Sequence, residues 1–222
     1  ILDQLAAGQP AEIKVDVAGG EPVTTRFDPS VFWDQNLKRP KFFAIVSSAS
    51  LAHILAKKCD PPADGFVVEG FTAGGHNAPP RGALQLTEQG EPLYGERDIP
   101  EMEKFRELGL PFWLAGSYGT HERLVEAISV GAEGIQVGTG FAFCNESGLR
   151  PDIKAEVIRQ CLAGETHVFT DPNASPTGFP FKVVNVPNSV SDIAVIESRE
   201  RVCDLGYLRT LYQKPDGGIG YR

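Results

Sequence analysis

The chain has 222 residues, and 41% hydrophobic with 23% charged residues is an ordinary globular composition with enough length to bury a core. Against 29 acidic residues stand 21 basic ones, and the net charge of -8 argues against a nucleic-acid partner. No apolar run approaches the roughly 18 residues of a membrane span and no signal peptide opens the chain, so no membrane partner and a cytoplasmic location are expected. Cys59, Cys144, Cys161 and Cys203 form no C-x-x-C pair and read as reduced thiols, with no metal site expected. The chain starts at Ile1 rather than Met, so part of the gene product is expected to be missing.

Taken in chain order, Ile13–Val17 and Val23–Phe27 read as the two arms of a β-hairpin with a long turn over Ala18–Pro22. Short apolar runs then alternate with amphipathic stretches, the pattern of strand–helix units on a parallel sheet. Phe42–Val46 is the first run, and Ser50 is placed to cap a helix carrying Leu51, Ile54 and Leu55. Gly65–Val68 follows, then a long Gly/Pro-bearing segment from Asn77 to Asp98, then a helix from about Ile99 to Leu108 with Pro100 in its first turn. Phe112–Ala115 precedes a helix marked by Leu124, Ala127 and Ile128, and Gly134–Val137 is the last run. Near-continuous apolar character predicts strands covered on both faces. Pro151–Ala163 predicts a helix with Ile153, Val157, Ile158, Cys161 and Leu162 as its stripe, and Ser191–Val202 suggests another. A closed (β/α)8 barrel needs eight strands and about 250 residues; four runs of this kind predict half of one or an absent front.

Two strand exits carry glycines: Leu114–Gly119 and Gly134–Gly140. Glycine lets backbone N–H groups approach an anion, and a strand-to-helix turn is a natural phosphate site. The plainer reading is two tight turns that need glycine for backbone geometry alone. Directly after Gly65–Val68 comes Glu69-Gly70-Phe71-Thr72-Ala73-Gly74-Gly75-His76. A histidine at a strand's C-terminal end can take or give a proton, or it can be a loop residue bonded to backbone. His53, His121 and His167 lack such a setting. Within the long Asn77–Asp98 segment, Arg81 could meet an anionic substrate, although an exposed loop arginine is the commoner case. No G-x-S-x-G elbow or Walker A loop is present, and no cysteine has an activating neighbourhood.

Ala73-Gly74-Gly75-His76 after Glu69-Gly70, then Ala115-Gly116, then Gly131-Ala132-Glu133-Gly134-Ile135-Gln136-Val137-Gly138-Thr139, resembles the nitronate monooxygenase (2-nitropropane dioxygenase) family, which is similar to the flavin-dependent enoyl-acyl-carrier-protein reductases. Ser175–Lys182 looks like that family's C-terminal region. The resemblance implies an α/β fold of TIM-barrel (β/α)8 type that binds FMN. Its C-terminal part is present here with a C-terminal helical extension. The implied divisions are a hairpin-containing segment 1–40, the C-terminal half-barrel 41–150 and a helical or irregular extension 151–222. It also implies that Gly116, Ser117, Gly138 and Thr139 hold the FMN phosphate, that Gly74 and Gly75 lie against the cofactor, and that Glu69 sits near the ribityl chain. His76 aligns with the active-site histidine that removes a proton from a nitroalkane or assists nitronate oxidation.

The chain departs from the family pattern in three places. Ser117-Tyr118 follow Ala115-Gly116, Asn77-Ala78 replace the usual pair after the histidine, and Gly140 stands where an arginine is usual. The leading expectation is an FMN-dependent enzyme oxidising alkyl nitronates or nitroalkanes with molecular oxygen, its partners being a small substrate and oxygen, with a homodimer open. An NAD(P)H-dependent enoyl-acyl-carrier-protein reductase is the alternative; NADH would bleach its flavin rapidly. From other classes come a flavin-free phosphate-binding isomerase or lyase, which would not be yellow, and a non-catalytic fragment.

Overall fold

The computed structural model describes residues 1–15, 20–31, 38–175 and 178–199, with the backbone of 211–213 and 219–221. The chain divides into two units, Ile1–Phe42 with Arg209–Arg222, and Phe43–Leu208. In the first unit, α1 (Leu2–Ala6) precedes β1 (Ala11–Val15) and β2 (Val23–Phe27), which pair antiparallel with Ala11 opposite Phe27 and Val15 opposite Val23. The predicted hairpin is therefore present two residues earlier in its first arm. Residues 16–19 of its turn lie outside the described residues.

The second unit is built on a four-stranded sheet. Its strands are β3 (Phe43–Val46), β4 (Gly65–Glu69), β5 (Phe112–Ala115) and β6 (Gly134–Gln136), in sequence order and all parallel. Parallel neighbours need a crossover, and α2 (Ala49–Lys57), α3 (Met102–Glu107) and α4 (His121–Ser129) supply it. Alternation along the strands sends Ala44, Val46, Phe66, Val68, Phe112 and Leu114 to the helices, where they meet Ala52, Phe105, Leu108 and Ala127 in one buried cluster. On the opposite face the Phe43 and Trp113 rings pack at a tilt of 55° with centroids 4.7 Å apart. That face is not covered throughout: Ile45 is 57% exposed, whereas Gly65–Val68 of β4 are buried. The expectation of cover on both faces thus holds for β4 and fails at β3.

Beyond β6, α5 (Thr139–Ala142) and α6 (Pro151–Ala163) follow, the latter within its predicted bounds and ended by Gly164 in the left-handed region. Its predicted stripe is only partly used, with Val157 buried and Leu162 86% exposed. The extension is not merely helical or irregular. β7 (Val168–Asp171) and β8 (Phe181–Val184) pair antiparallel before α7 (Ile193–Glu197). In the first unit β9 (Leu211–Gln213) and β10 (Ile219–Tyr221) form a further antiparallel pair. Among the described residues no helix is long and apolar enough to cross a membrane.

Three helix boundaries differ from expectation for local reasons. Ser48, extended at φ -140°, caps α2 by accepting from the Leu51 N–H at 3.2 Å, which leaves Ser50 inside the first turn. α3 begins at Met102, because Asp98 is engaged by the Gly95 and Arg81 N–H groups at 2.8 Å each and holds the chain in a separate turn ahead of Pro100. α7 is capped by Asp192 and ends at Glu197; residues 200–202 of the longer predicted helix lie outside the described residues.

Gly65 tests the packing. A Cβ there would lie 2.6 Å from the Pro111 carbonyl oxygen and 2.7 Å from the Phe43 ring. Gly65→Ala is expected to destabilise the protein by about 1–3 kcal/mol, read as a lower urea midpoint at unchanged slope. An unmoved midpoint would contradict this packing.

Candidate active site

Parallel strands deliver their C-terminal ends to one edge of the sheet, and the loops leaving β4, β5 and β6 meet there. Thr72 donates to the Gly116 carbonyl at 3.3 Å, and the Ser117 hydroxyl reaches the Thr72 carbonyl at 3.5 Å, the outer limit of a hydrogen bond. A Cβ on Gly116 would fall 2.8 Å from the Ala73 nitrogen, and one on Gly74 would fall 3.6 Å from the Thr139 Oγ1. The structure therefore brings Gly74, Gly116, Ser117 and Thr139 together. Gly138 is the residue before α5, and Gly75 leads into His76. Gly116 and Ser117 both lie in the left-handed region, at φ 93° and 60°, a conformation uncommon for a serine.

His76 is held by a part of the chain that sequence reasoning left without a role. Its Nε2 lies 2.6 Å from the Ser175 Oγ, and its ring packs edge-on against Phe181 at 4.8 Å. Around it the Asn77 N–H donates to the Pro180 carbonyl at 2.8 Å, and the Lys182 N–H donates to the Gly75 carbonyl at 2.9 Å. The Ser175–Lys182 string was the available signal, but its contact with a loop 99 residues earlier is not written in any local spacing. Phe181 and Lys182 also line a cavity of about 660 Å³ with Asn173, Val190 and Ser191. Burial pushes the Lys182 amine below its ordinary value, against the pull of Glu91 in the opposite direction.

The long segment after His76 is held by a bridge within it and by contacts to its surroundings. Leu86 and Pro92 form an isolated bridge, Tyr94 stacks on Phe71 at 4.5 Å, and Glu91 accepts from the Thr170 N–H at 2.7 Å. Arg81 reaches the Ser47 carbonyl at 3.4 Å. Among the described residues no group of three His, Cys, Asp or Glu side chains could hold a metal ion.

Glu69 ends β4 opposite Ala115 and is half-buried, and loss of solvent pushes its carboxyl above the ordinary value. A carboxyl raised in the folded state penalises folding once ionised. The penalty is full above the folded value and disappears as pH falls below the unfolded one. Glu69→Gln is therefore expected to stabilise the protein at pH 7, by no more than about 1 kcal/mol after screening by the solvent that still reaches it. The gain should shrink toward zero near pH 4. Urea midpoints of both proteins at the two pH values check the sign.

A family model for nitronate monooxygenase matches residues 6–172. A probable nitronate monooxygenase from Bacillus subtilis (strain 168) is 34% identical over 96 residues, covering 43% of this chain and 26% of the relative. Among solved structures, a mutant of FabK from Thermotoga maritima is 25% identical over 67% of this chain and 42% of its own, with a TM-score of 0.45. The nitroalkane oxidase from Streptomyces ansochromogenes is 21% identical over 65% and 38% respectively, again at 0.45. The matched region thus spans less than half the length of each. With the family match running through the sheet, the three strand-end loops and His76, the chain belongs to the nitronate monooxygenase family.

Proposed function

We propose that residues 41–150 are the C-terminal half of a flavin-binding β/α barrel of TIM type, flanked by the hairpin segment 1–40 and the extension 151–222. On this reading the complete protein is an FMN-dependent oxidoreductase that oxidises alkyl nitronates or nitroalkanes with molecular oxygen. The observation that carries it is the placing of His76, braced by Ser175 beside three strand-end loops that converge at one edge of a parallel sheet.

The residues fit the cofactor. Among the described residues a Cβ at Gly138 would meet nothing within 4 Å, and the backbone at φ -107°, ψ -60° is open to any residue. Neither packing against the described residues nor conformation accounts for a glycine there, whereas a phosphate approaching the backbone N–H groups does. Gly138 and Thr139, with Gly116 and Ser117, would hold the phosphate, Gly74 and Gly75 would lie against the cofactor, and Glu69 would face the ribityl chain. The flavin, when bound, supplies the redox chemistry with oxygen. The protein's own part is the proton. For His76 to accept the substrate's carbon proton at Nδ1, its Nε2–H must donate to the Ser175 oxygen, which fixes the competent tautomer.

Gly138→Val places a branched side chain where the described residues leave space, so its effect reads the ligand. Flavin occupancy should fall sharply with the folded state unchanged by circular dichroism; full occupancy would place the phosphate elsewhere. For His76→Asn, turnover of a neutral nitroalkane should drop roughly 10²–10⁴-fold. A preformed nitronate, already lacking that proton, should be oxidised nearly as well as by the wild type. Equal losses on both substrates would exclude His76 as the carbon base. Both measurements use the complete flavoprotein.

A further inference from the structure

The turn that presents His76 is closed from within by the residue after it. Asn77 is 3% exposed, and its side-chain amide donates to the Ala73 carbonyl at 2.8 Å and to the His76 carbonyl at 3.3 Å. These two acceptors mark the start and the end of Ala73-Gly74-Gly75-His76. The two glycines between them bring no side chains, and Gly75 sits at φ 77°, so the turn has little packing of its own to hold its shape. The Oδ1 of Asn77 is buried and meets no donor among the described residues. Turning the amide over does not help, because both facing carbonyls can only accept. An apolar side chain of similar size would avoid that cost. What the position retains is a pair of N–H donors aimed at the turn.

We propose that Asn77 is a positioning residue for His76. By tying the Ala73 and His76 carbonyls it sets where the imidazole stands relative to Ser175 and to a substrate at the strand ends. The activity arm of the test rests on the proposed function, while a spectroscopic arm does not.

Asn77→Ala removes the brace, and Asn77→Asp keeps its shape while offering the two carbonyls at most one donor in place of two. In the full chain labelled with ¹⁵N-histidine, the ring signals of His76, assigned by their loss in His76→Asn, should shift or broaden in both variants, and those of His53, His121 and His167 should stay. In the complete flavoprotein, kcat on a neutral nitroalkane should fall about 10–100-fold at unchanged KM and flavin occupancy, with oxidation of preformed nitronate retained. Added to His76→Asn, the Asn77→Ala change should cost nothing more. Unmoved His76 signals in a folded variant would overturn the proposal, as would an undiminished loss in the His76→Asn background. If Asn77→Ala does not fold, the same readings on Asn77→Asp decide. A wild-type flavoprotein inert toward nitroalkanes would count against the proposed function, and the histidine spectra would still decide the role of Asn77.

Discussion

Two backbone hydrogen bonds, from the Asn77 N–H to Pro180 and from the Lys182 N–H to Gly75, fix where His76 can be. Fastening a loop to a segment about a hundred residues later is not cheap in chain entropy, on the order of 4–5 kcal/mol for a closure of that length. One hydrogen bond contributes about 1 kcal/mol net, so the His76–Ser175 contact could not hold the two segments together alone. The rest comes from a set of bonds that share the closure. These include the two backbone bonds and Glu91 accepting from the Thr170 N–H at 2.7 Å. The later segment is itself held as a hairpin by the β7–β8 ladder and by the Lys182 amine donating to the Thr170 hydroxyl at 2.5 Å. Once they have formed, the Ser175 hydroxyl meets the ring at little further entropic cost.

The other half of the site follows from strand direction. A parallel sheet forces each connection to cross back, so every strand's C-terminal end, and every loop leaving it, lies at the same edge. Residues far apart in the chain thus become neighbours, Gly116 beside Ala73 and Thr139 beside Gly74, and the Thr72–Gly116 hydrogen bond joins loops that strand direction has already brought together. The tight approach of Gly116 to Ala73 then couples the first loop to the second. A change at either is transmitted to the turn that carries His76.

Legibility in the sequence tracked how local the cause was. The four parallel strands were readable because β-branched and aromatic runs such as Phe66-Val67-Val68 leave few alternatives, and α6 was bounded by Pro151 and Gly164. Ser48 and Ser50 compete for one cap, and backbone geometry alone separates them. The β7–β8 hairpin carried a signal that could have been used, since Val168-Phe169-Thr170 and Phe181-Lys182-Val183-Val184 flank a segment rich in proline and glycine. Ser175 and Asn77 were beyond reach for another reason. A serine and an asparagine are ordinary loop residues until the partner is known, and both partners depend on how the chain returns.

The paired glycine loops show how burial and conformation divide what spacing cannot. Read from sequence, Gly116 and Gly138 are equivalent, each at a strand exit and each explicable by turn geometry or by a bound anion. In the fold they are not alike. Gly116 has a left-handed φ of 93° and the Ala73 backbone 2.8 Å from where a Cβ would stand, so the protein's own structure demands glycine there. Its presence therefore says little about a ligand. Gly138 has an ordinary conformation and, among the described residues, open space around it. Of the two, it is the one whose missing side chain is not explained by its own chain. Any phosphate reading of this edge therefore stands on Gly138 and Thr139, with Gly116 serving to shape the loop that faces them.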